Sequence, residues 1–164
     1  MKVYFAADHA GFELKSVLIN FVRGEMGMEI EDCGAVTVVP SDDYPEIIAR
    51  AARRLAADAK KGLDTRAIMI GASGQGEAMA ANRFTGVRCA LYYGAAAHTQ
   101  QDLSGRVLSM IGSMREHNDS NALALGARFI TPEEARDTVK LWLKTGFSGN
   151  PRHARRNRLL DEIA

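Results

Sequence analysis

The sequence predicts an α/β sandwich: a five-stranded parallel sheet with helices on both faces and an extra helix at its carboxyl end. Three observations predict it. Short apolar runs recur along the chain and close on glycine or polar residues, as strands buried on both faces do. Segments of helical spacing separate them, and alternating strands and helices imply parallel pairing. One run, 67–70, turns through Gly71, Gly74 and Gly76 and continues as a helix from about Glu77. Such a turn lets backbone N–H groups approach an anion at a helix start.

Residues 2–7, KVYFAA, read as a buried strand ending at Asp8 and His9. After Gly11, Phe12, Leu14, Val17, Leu18, Phe21 and Val22 repeat at helical spacing. Residues 28–32 form a short second strand closed by Cys33 and Gly34, and 35–45 is a loop holding Pro40 and Pro45. Ile47, Ile48, Ala51, Ala52, Leu55, Ala56 and Ala59 mark one face of the next helix. Arg50, Arg53, Arg54, Lys60 and Lys61 lie mainly on the other, a solvated face. After the third strand and its glycine turn, 87–93 is a fourth strand and 121–125 a fifth, ending in Gly126 and Arg128. Residues 94–115, rich in Ala, Gln and Met, read as helix with breaks at Gly105 or Gly112. Thr131-Pro132-Glu133-Glu134 combines an N-cap, a proline at the first helical position and a capping-box glutamate. The helix it starts carries Val139, Leu141, Trp142 and Leu143 and ends near Gly146. A last helix runs from about Pro151 to Ile163, crowded at its start with Arg152, His153, Arg155, Arg156 and Arg158.

At 164 residues, a single domain spanning 1–164 is expected. The formal net charge of +1 points to neither nucleic acid nor an anionic membrane as partner. No apolar run approaches a membrane span and no secretory leader pattern is present, so a cytoplasmic protein is expected. Cys33 and Cys89, far apart and outside any C-x-x-C, are read as free thiols. His9, His98, His117 and His153 are dispersed with no ligand spacing, so no metal is expected. The glycine pattern is G-x-x-G-x-G, matching neither the dinucleotide fingerprint nor the P-loop.

Ligands of open α/β sheets collect at the carboxyl ends of the strands. Asp8 and His9 follow strand one, Ser73 and Glu77 strand three, and Arg128 strand five; His117-Asn118-Asp119 lie just before strand five, and Arg152, His153 and Arg156 lie near the chain end. Each has a plainer reading: Asp8 as a helix cap, Glu77 as a complement to the helix dipole, the histidines as surface or loop residues, the arginines as a solvated face. Their grouping favours a common site.

AADHAGFELK at 6–15, DYP at 43–45, GASGQGEAMAANRFTGVRCAL at 71–91, REHNDSN at 115–121, GAR at 126–128 and RHARR at 152–156 resemble the type B ribose-5-phosphate isomerases, whose superfamily includes the galactose-6-phosphate isomerase subunits. The blocks stand in family order and span nearly the whole chain. The resemblance implies a Rossmann-like three-layer sandwich and a homodimer or homotetramer with sites at the subunit interface. It implies a small sugar phosphate as ligand and no cofactor. Members that use a cysteine base carry it at the end of strand three, where this chain has Gly71. Glu77 matches the glutamate that other members use. By the same resemblance Ser73 moves protons between the sugar oxygens, Asp8 binds sugar hydroxyls and His117, with Asn118, opens the furanose ring in the partner's site. His9, Arg128, Arg152 and Arg156 match the phosphate-binding set, with His153 beside them.

The chemistry is coherent with those residue types. Aldose–ketose interconversion needs a base at C1 and C2, commonly worth about 10²–10⁴ in rate. The N–H groups of residues 72–77, with Gly71, Gly74 and Gly76, form an oxyanion site, and arginines position a remote phosphate. One departure stands out: the segment 93–115, with Gly94 and Ala95 to Ala97 at the pocket rim, is longer than the family's usual connection, which bears on the accepted sugar or the oligomer. Competing readings are an isomerase of a hexose or tetrose phosphate, or of an unphosphorylated sugar, a non-catalytic interaction subunit, and a flavodoxin-like binding or signalling module. A receiver domain needs an acceptor Asp where Gly71 stands, and a flavin module a hydroxyl-rich first turn where Asp8-His9-Ala10-Gly11 stands.

Overall fold

The computed structural model describes residues 1–102 and 104–163. Five strands, β1 (Lys2–Ala7), β2 (Glu29–Asp32), β3 (Thr65–Gly71), β4 (Cys89–Tyr92) and β5 (Ala122–Gly126), pair in parallel in the order β2-β1-β3-β5-β4. The helices are α1 (Phe12–Gly24), α2 (Tyr44–Lys60), α3 (Gln75–Ala81), α4 (Met110–Glu116), α5 (Pro132–Lys144) and α6 (Pro151–Glu162).

The strands are apolar because both faces are covered. Val3, Phe5, Ile68, Ile70, Leu123 and Leu125 pack with α1, α4 and α5 side chains such as Leu18, Met114 and Trp142. Tyr4, Ala6, Ala67 and Met69 pack with Ile48, Ala52 and Leu55 of α2 and Ala81 of α3. Alternate residues thus serve opposite faces, the period-2 rule applied to a doubly buried sheet. The edge strand β2 is short and flanked by charge: Lys2 bonds Glu31 at 2.5 Å, and Arg54 also reaches Glu31 at 2.5 Å, a pattern that discourages edge pairing.

The expected α2 face is the buried one, with Ile47, Ile48, Ala51, Ala52 and Leu55 inside. The Thr131 N-cap forms, its Oγ1 accepting from the Glu134 N–H at 3.1 Å with Pro132 at the helix start, while the Glu134 carboxylate, expected to close a capping box, instead accepts from the Tyr92 hydroxyl at 2.7 Å. The reading of 94–115 as helix broken at Gly105 or Gly112 is corrected: Gly112 lies inside a short helix, and the described residues before that helix are not helical. Among the described residues of this segment only those from Met110 on are helical, in α4, started by Ser109, whose Oγ accepts from the Gly112 N–H at 2.9 Å. Upstream, Gly94 and Gly105 hold positive φ, at 143° and 82°. The Asp102 carboxylate captures the Ser104 and Arg106 N–H groups. Side-chain capture of backbone donors competes with helix, and it outweighs alanine content here.

The crossovers from β1 to β2 and from β2 to β3 run in opposite directions along the sheet. A crevice therefore opens at the carboxyl ends of β1 and β3, where ligands of such folds bind.

Candidate active site

At that crevice the backbone closes in. A Cβ on Gly11 would lie 2.4 Å from the carbonyl oxygen of Ile70, so α1 starts in direct contact with the end of β3. Asp8 caps that start: its Oδ1 accepts from the N–H groups of Ala10 (3.0 Å) and Gly11 (3.1 Å). The plainer reading of Asp8 is therefore real, and its buried carboxylate also lines the crevice.

Glu77 is 4% exposed although it carries a carboxylate. A Cβ added at Gly71 would fall 2.0 Å from its Oε1. The carboxylate occupies the space that any side chain at position 71 would need, so the glycine is a condition for the glutamate. Burial pushes the Glu77 carboxyl upward, its own backbone N–H opposes this, and the nearby Asp8 charge adds to the rise. Desolvation of the charged form is the dominant cause. Gly74 holds φ +75° as the left-handed residue before α3. A Cβ on Gly76 would sit 2.6 Å from the Tyr44 ring, so Tyr44 packs directly on the turn. Ser73 Oγ accepts from the Gln75 N–H at 3.3 Å. The N–H of Arg128 bonds Ala72 O at 3.1 Å, which brings the end of β5 alongside.

His9 is held by a residue that sequence reasoning missed. Asp42 accepts from the His9 N–H (3.0 Å) and bonds its Nδ1 (2.7 Å). Asp42 sits in the 35–45 loop with no periodicity to single it out. That loop is fixed in turn by Lys15, 1% exposed at its side chain, which donates to Asp32 (2.7 and 2.9 Å) and to Ala35 O (2.6 Å). Asp8, His9 and Asp42 are close enough to group their donor atoms within 4.8 Å. Their hydrogen bonds already commit Asp8 to the helix start and Asp42 to His9.

The other expected residues lie elsewhere. His117 caps the end of α4, before β5 begins, and its carbonyl accepts from Asn157 Nδ2 of α6 at 3.3 Å. Arg88, just ahead of β4, donates to Asn118 O (3.2 Å) and to the Asp119 carboxylate (2.9 Å). The buried Arg115 holds the same segment through Asp119 and Thr145 O. The His117 and His153 rings meet at 4.4 Å between centroids, and Ser148 Oγ lies 3.3 Å from His153 Nδ1. Arg152 and Arg156 are exposed on α6. The expected site residues divide between two edges of the sheet. Because β5 runs parallel to β3, residues that precede β5 fall at the amino edge, a strand length or roughly 17–20 Å from the crevice. Asp8, His9, Gly71, Ser73, Gly74, Gly76, Glu77 and Arg128 form a carboxyl-edge group; His117, Asn118, Arg152, His153 and Arg156 form an amino-edge group.

Cys33 is buried, with its thiol pushed up to about 11 mainly by burial, and both cysteines are free. Among the described residues no helix is long and apolar enough to cross a membrane.

A parallel sandwich with a buried, proton-prone carboxylate set over a glycine turn defines a small-molecule enzyme of proton-transfer chemistry. Comparison with known proteins narrows the class. The family model for Ribose/Galactose Isomerase matches residues 3–160, and the chain belongs to that family of aldose–ketose isomerases. It is 38% identical over 162 residues to ribose-5-phosphate isomerase B of Mycolicibacterium paratuberculosis, covering 99% of this chain and 91% of the relative. It is 34% identical over 161 residues to a putative sugar phosphate isomerase of Bacillus subtilis, covering 98% and 96%. The solved structure of ribose-5-phosphate isomerase B from Mycoplasma genitalium with bound ribulose-5-phosphate superposes with a TM-score of 0.82 at 27% identity, covering 99% of this chain and 95% of that one. The Clostridium thermocellum enzyme superposes with a TM-score of 0.80 at 34% identity, covering 99% and 97%.

Proposed function

We propose that the chain interconverts ribose 5-phosphate and ribulose 5-phosphate in the cytoplasm, as a homodimer whose two active sites each join one carboxyl-edge group to the partner's amino-edge group. The observation that carries this reading is the Glu77 carboxylate, buried in the space over Gly71 at the sheet's switch point, with its acidity weakened by burial.

In this mechanism Glu77 takes the proton from C2 of the open-chain aldose and returns it to C1, and the reverse in the other direction. A carboxylate made more basic by desolvation is matched to that task near neutral pH. The enediolate oxygens face the backbone N–H groups of residues 72–77, a contribution of roughly 3–4 kcal/mol per donor by analogy with acyl transfer. Ser73 carries the proton between O1 and O2, and Asp8 accepts from a sugar hydroxyl. The partner subunit's His117, with Asn118, opens the furanose ring before Glu77 acts. His9 and Arg128 on one side, and Arg152, His153 and Arg156 from the partner, hold the phosphate by charge-assisted hydrogen bonds. Asp42 engages His9 Nδ1, which leaves Nε2 for the anion.

The separation of the two groups supports the dimer, since no closure within one chain brings both edges of a sheet together. The test is a panel of tetrose, pentose and hexose phosphates, together with unphosphorylated ribose, assayed for aldose–ketose conversion with purified protein. Ribose 5-phosphate is expected to give the highest kcat/KM. A higher value for a hexose phosphate would move the assignment to that sugar, and turnover of free ribose at a similar rate would remove the phosphate from the account.

A further inference from the structure

The amino-edge group has a wall that the chemistry above does not use. Residues 100–102 and 104–108 fold back as a hairpin: the Leu108 N–H donates to Gln100 O (2.8 Å) and the Asp102 N–H to Arg106 O (2.9 Å). The hairpin tip is tied to the end of α4 by Arg106, whose Nη2 donates to Glu116 Oε2 at 2.6 Å. Asp102, Arg106, Glu116, His117, Ser148 and His153 line one cleft of about 770 Å³, within the size range of small-molecule sites.

The charges of this cleft are mixed. Asp102 is occupied within the hairpin: its Oδ1 accepts from the Ser104 N–H (2.8 Å), the Ser104 hydroxyl (2.6 Å) and the Arg106 N–H (3.1 Å). Glu116 is the carboxylate next to His117 in the chain, and its side chain pairs with Arg106. The Arg106 side chain is 59% exposed, and an ion pair so open to water adds little to fold stability. Its effect falls instead on the potential of the cleft. Left unpaired, the Glu116 carboxylate would repel a dianion and compete with it for His153 and for Arg152 and Arg156 on the adjoining helix.

We propose that Arg106 is a positioning residue that masks Glu116, so that the amino-edge group keeps the positive character needed to hold a sugar phosphate. This rests on the reading that the phosphate is gripped by the arginines of α6, and the experiment separates the two. Ribose 5-phosphate kinetics and competitive inhibition by inorganic phosphate are measured for Arg106→Ala, Arg106→Lys, Glu116→Gln, the Arg106→Ala/Glu116→Gln double variant and Arg156→Ala, with circular dichroism to confirm folding. Arg106→Ala is expected to raise KM and the phosphate inhibition constant about tenfold, a charge effect at close range, with kcat within about threefold. Arg106→Lys keeps the charge and stays close to wild type, as does Glu116→Gln, which removes pair and carboxylate together. The double variant returns both constants to within about twofold of wild type, a coupling that independent losses do not produce.

A double variant as weak as Arg106→Ala would overturn the proposal, because masking predicts rescue. So would a tenfold loss in Glu116→Gln alone, which would make the pair an anchor for the hairpin. Full phosphate inhibition in Arg106→Ala, with inhibition lost in Arg156→Ala, would overturn the masking role and leave the phosphate site standing. Full inhibition in Arg156→Ala would place the anion elsewhere and remove both.

Discussion

The two edges of the sheet carry functional residues of opposite character. At the carboxyl edge, Glu77 is 4% exposed and Asp8 is buried beneath the start of α1, and no side chain fits at Gly11, where the Ile70 carbonyl stands, or at Gly71, where the Glu77 carboxylate does. At the amino edge, Arg152 and Arg156 stand exposed and His117 and His153 meet in an open cleft. The contrast separates two physical tasks. A base needs its acidity shifted, and burial of Glu77 away from solvent does that. An anion grip needs charge, and arginines stay hydrated on the surface until a second copy and a ligand arrive together.

The largest expected effect breaks the carboxyl edge. Glu77→Gln keeps size and burial but cannot accept a carbon-bound proton, so kcat should fall by at least about 10²-fold. The same variant should be more stable at neutral pH. The folded-state pKa of Glu77 lies above its unfolded value, so between the two the folded state binds more protons and stability falls as pH rises. Above the folded pKa the full cost of the buried charge is present, and the glutamine removes it. A gain of about 2–4 °C in Tm at neutral pH, shrinking as pH falls toward 4.5, is the expected thermal-melt result. A loss of Tm at neutral pH would mean that the carboxylate is held by stronger partners than its burial suggests.

Next is Gly71→Ala. The added carbon would need the space of the Glu77 carboxylate, so the base is displaced while its identity is unchanged. Activity should fall about 10–10²-fold, the scale expected when a catalytic group is misplaced by an ångström. Activity near wild type would show that Glu77 works from another position.

A smaller effect sharpens the comparison from the anion side. Asp42→Asn keeps shape but weakens the charge-assisted bond to His9 Nδ1. KM for the sugar phosphate should rise about three- to tenfold with little change in kcat, and an unchanged KM would free His9 from phosphate binding. The smallest effect is expected at Cys33→Ser, where the thiol packs against α2 residues away from the crevice: unaltered kcat, with only a packing loss in stability.

The fold was legible where periodicity is strong. The apolar runs of β1, β3 and β5 and the faces of α1, α2 and α5 announce themselves because burial on fixed faces leaves a fixed spacing. The segment after β4 was not legible, since Asp102 and the glycines override alanine through local hydrogen bonds that no periodicity reports. Glu77 and the glycine turn were readable as a base beside an anion site, and the clearance that ties Glu77 to Gly71 needed three dimensions. Asp42 was hidden because a loop carboxylate beside Asp43 has no signature until His9 is placed against it. The division of the site residues between two edges follows from strand direction, since residues that precede a parallel strand and residues that follow one lie at opposite edges.

That division makes the shared site the central claim. Glu77→Gln and His117→Ala chains, each nearly inactive alone on ribose 5-phosphate, are to be mixed in equal amounts, unfolded and refolded together. In a mixed dimer one site pairs two defects and the other pairs an intact Glu77 with an intact His117. With random pairing half the dimers are mixed and each has one working site, so the account predicts recovery of about a quarter of the wild-type rate. No recovery, with mixed dimers confirmed by native mass spectrometry, would contradict a site shared between subunits.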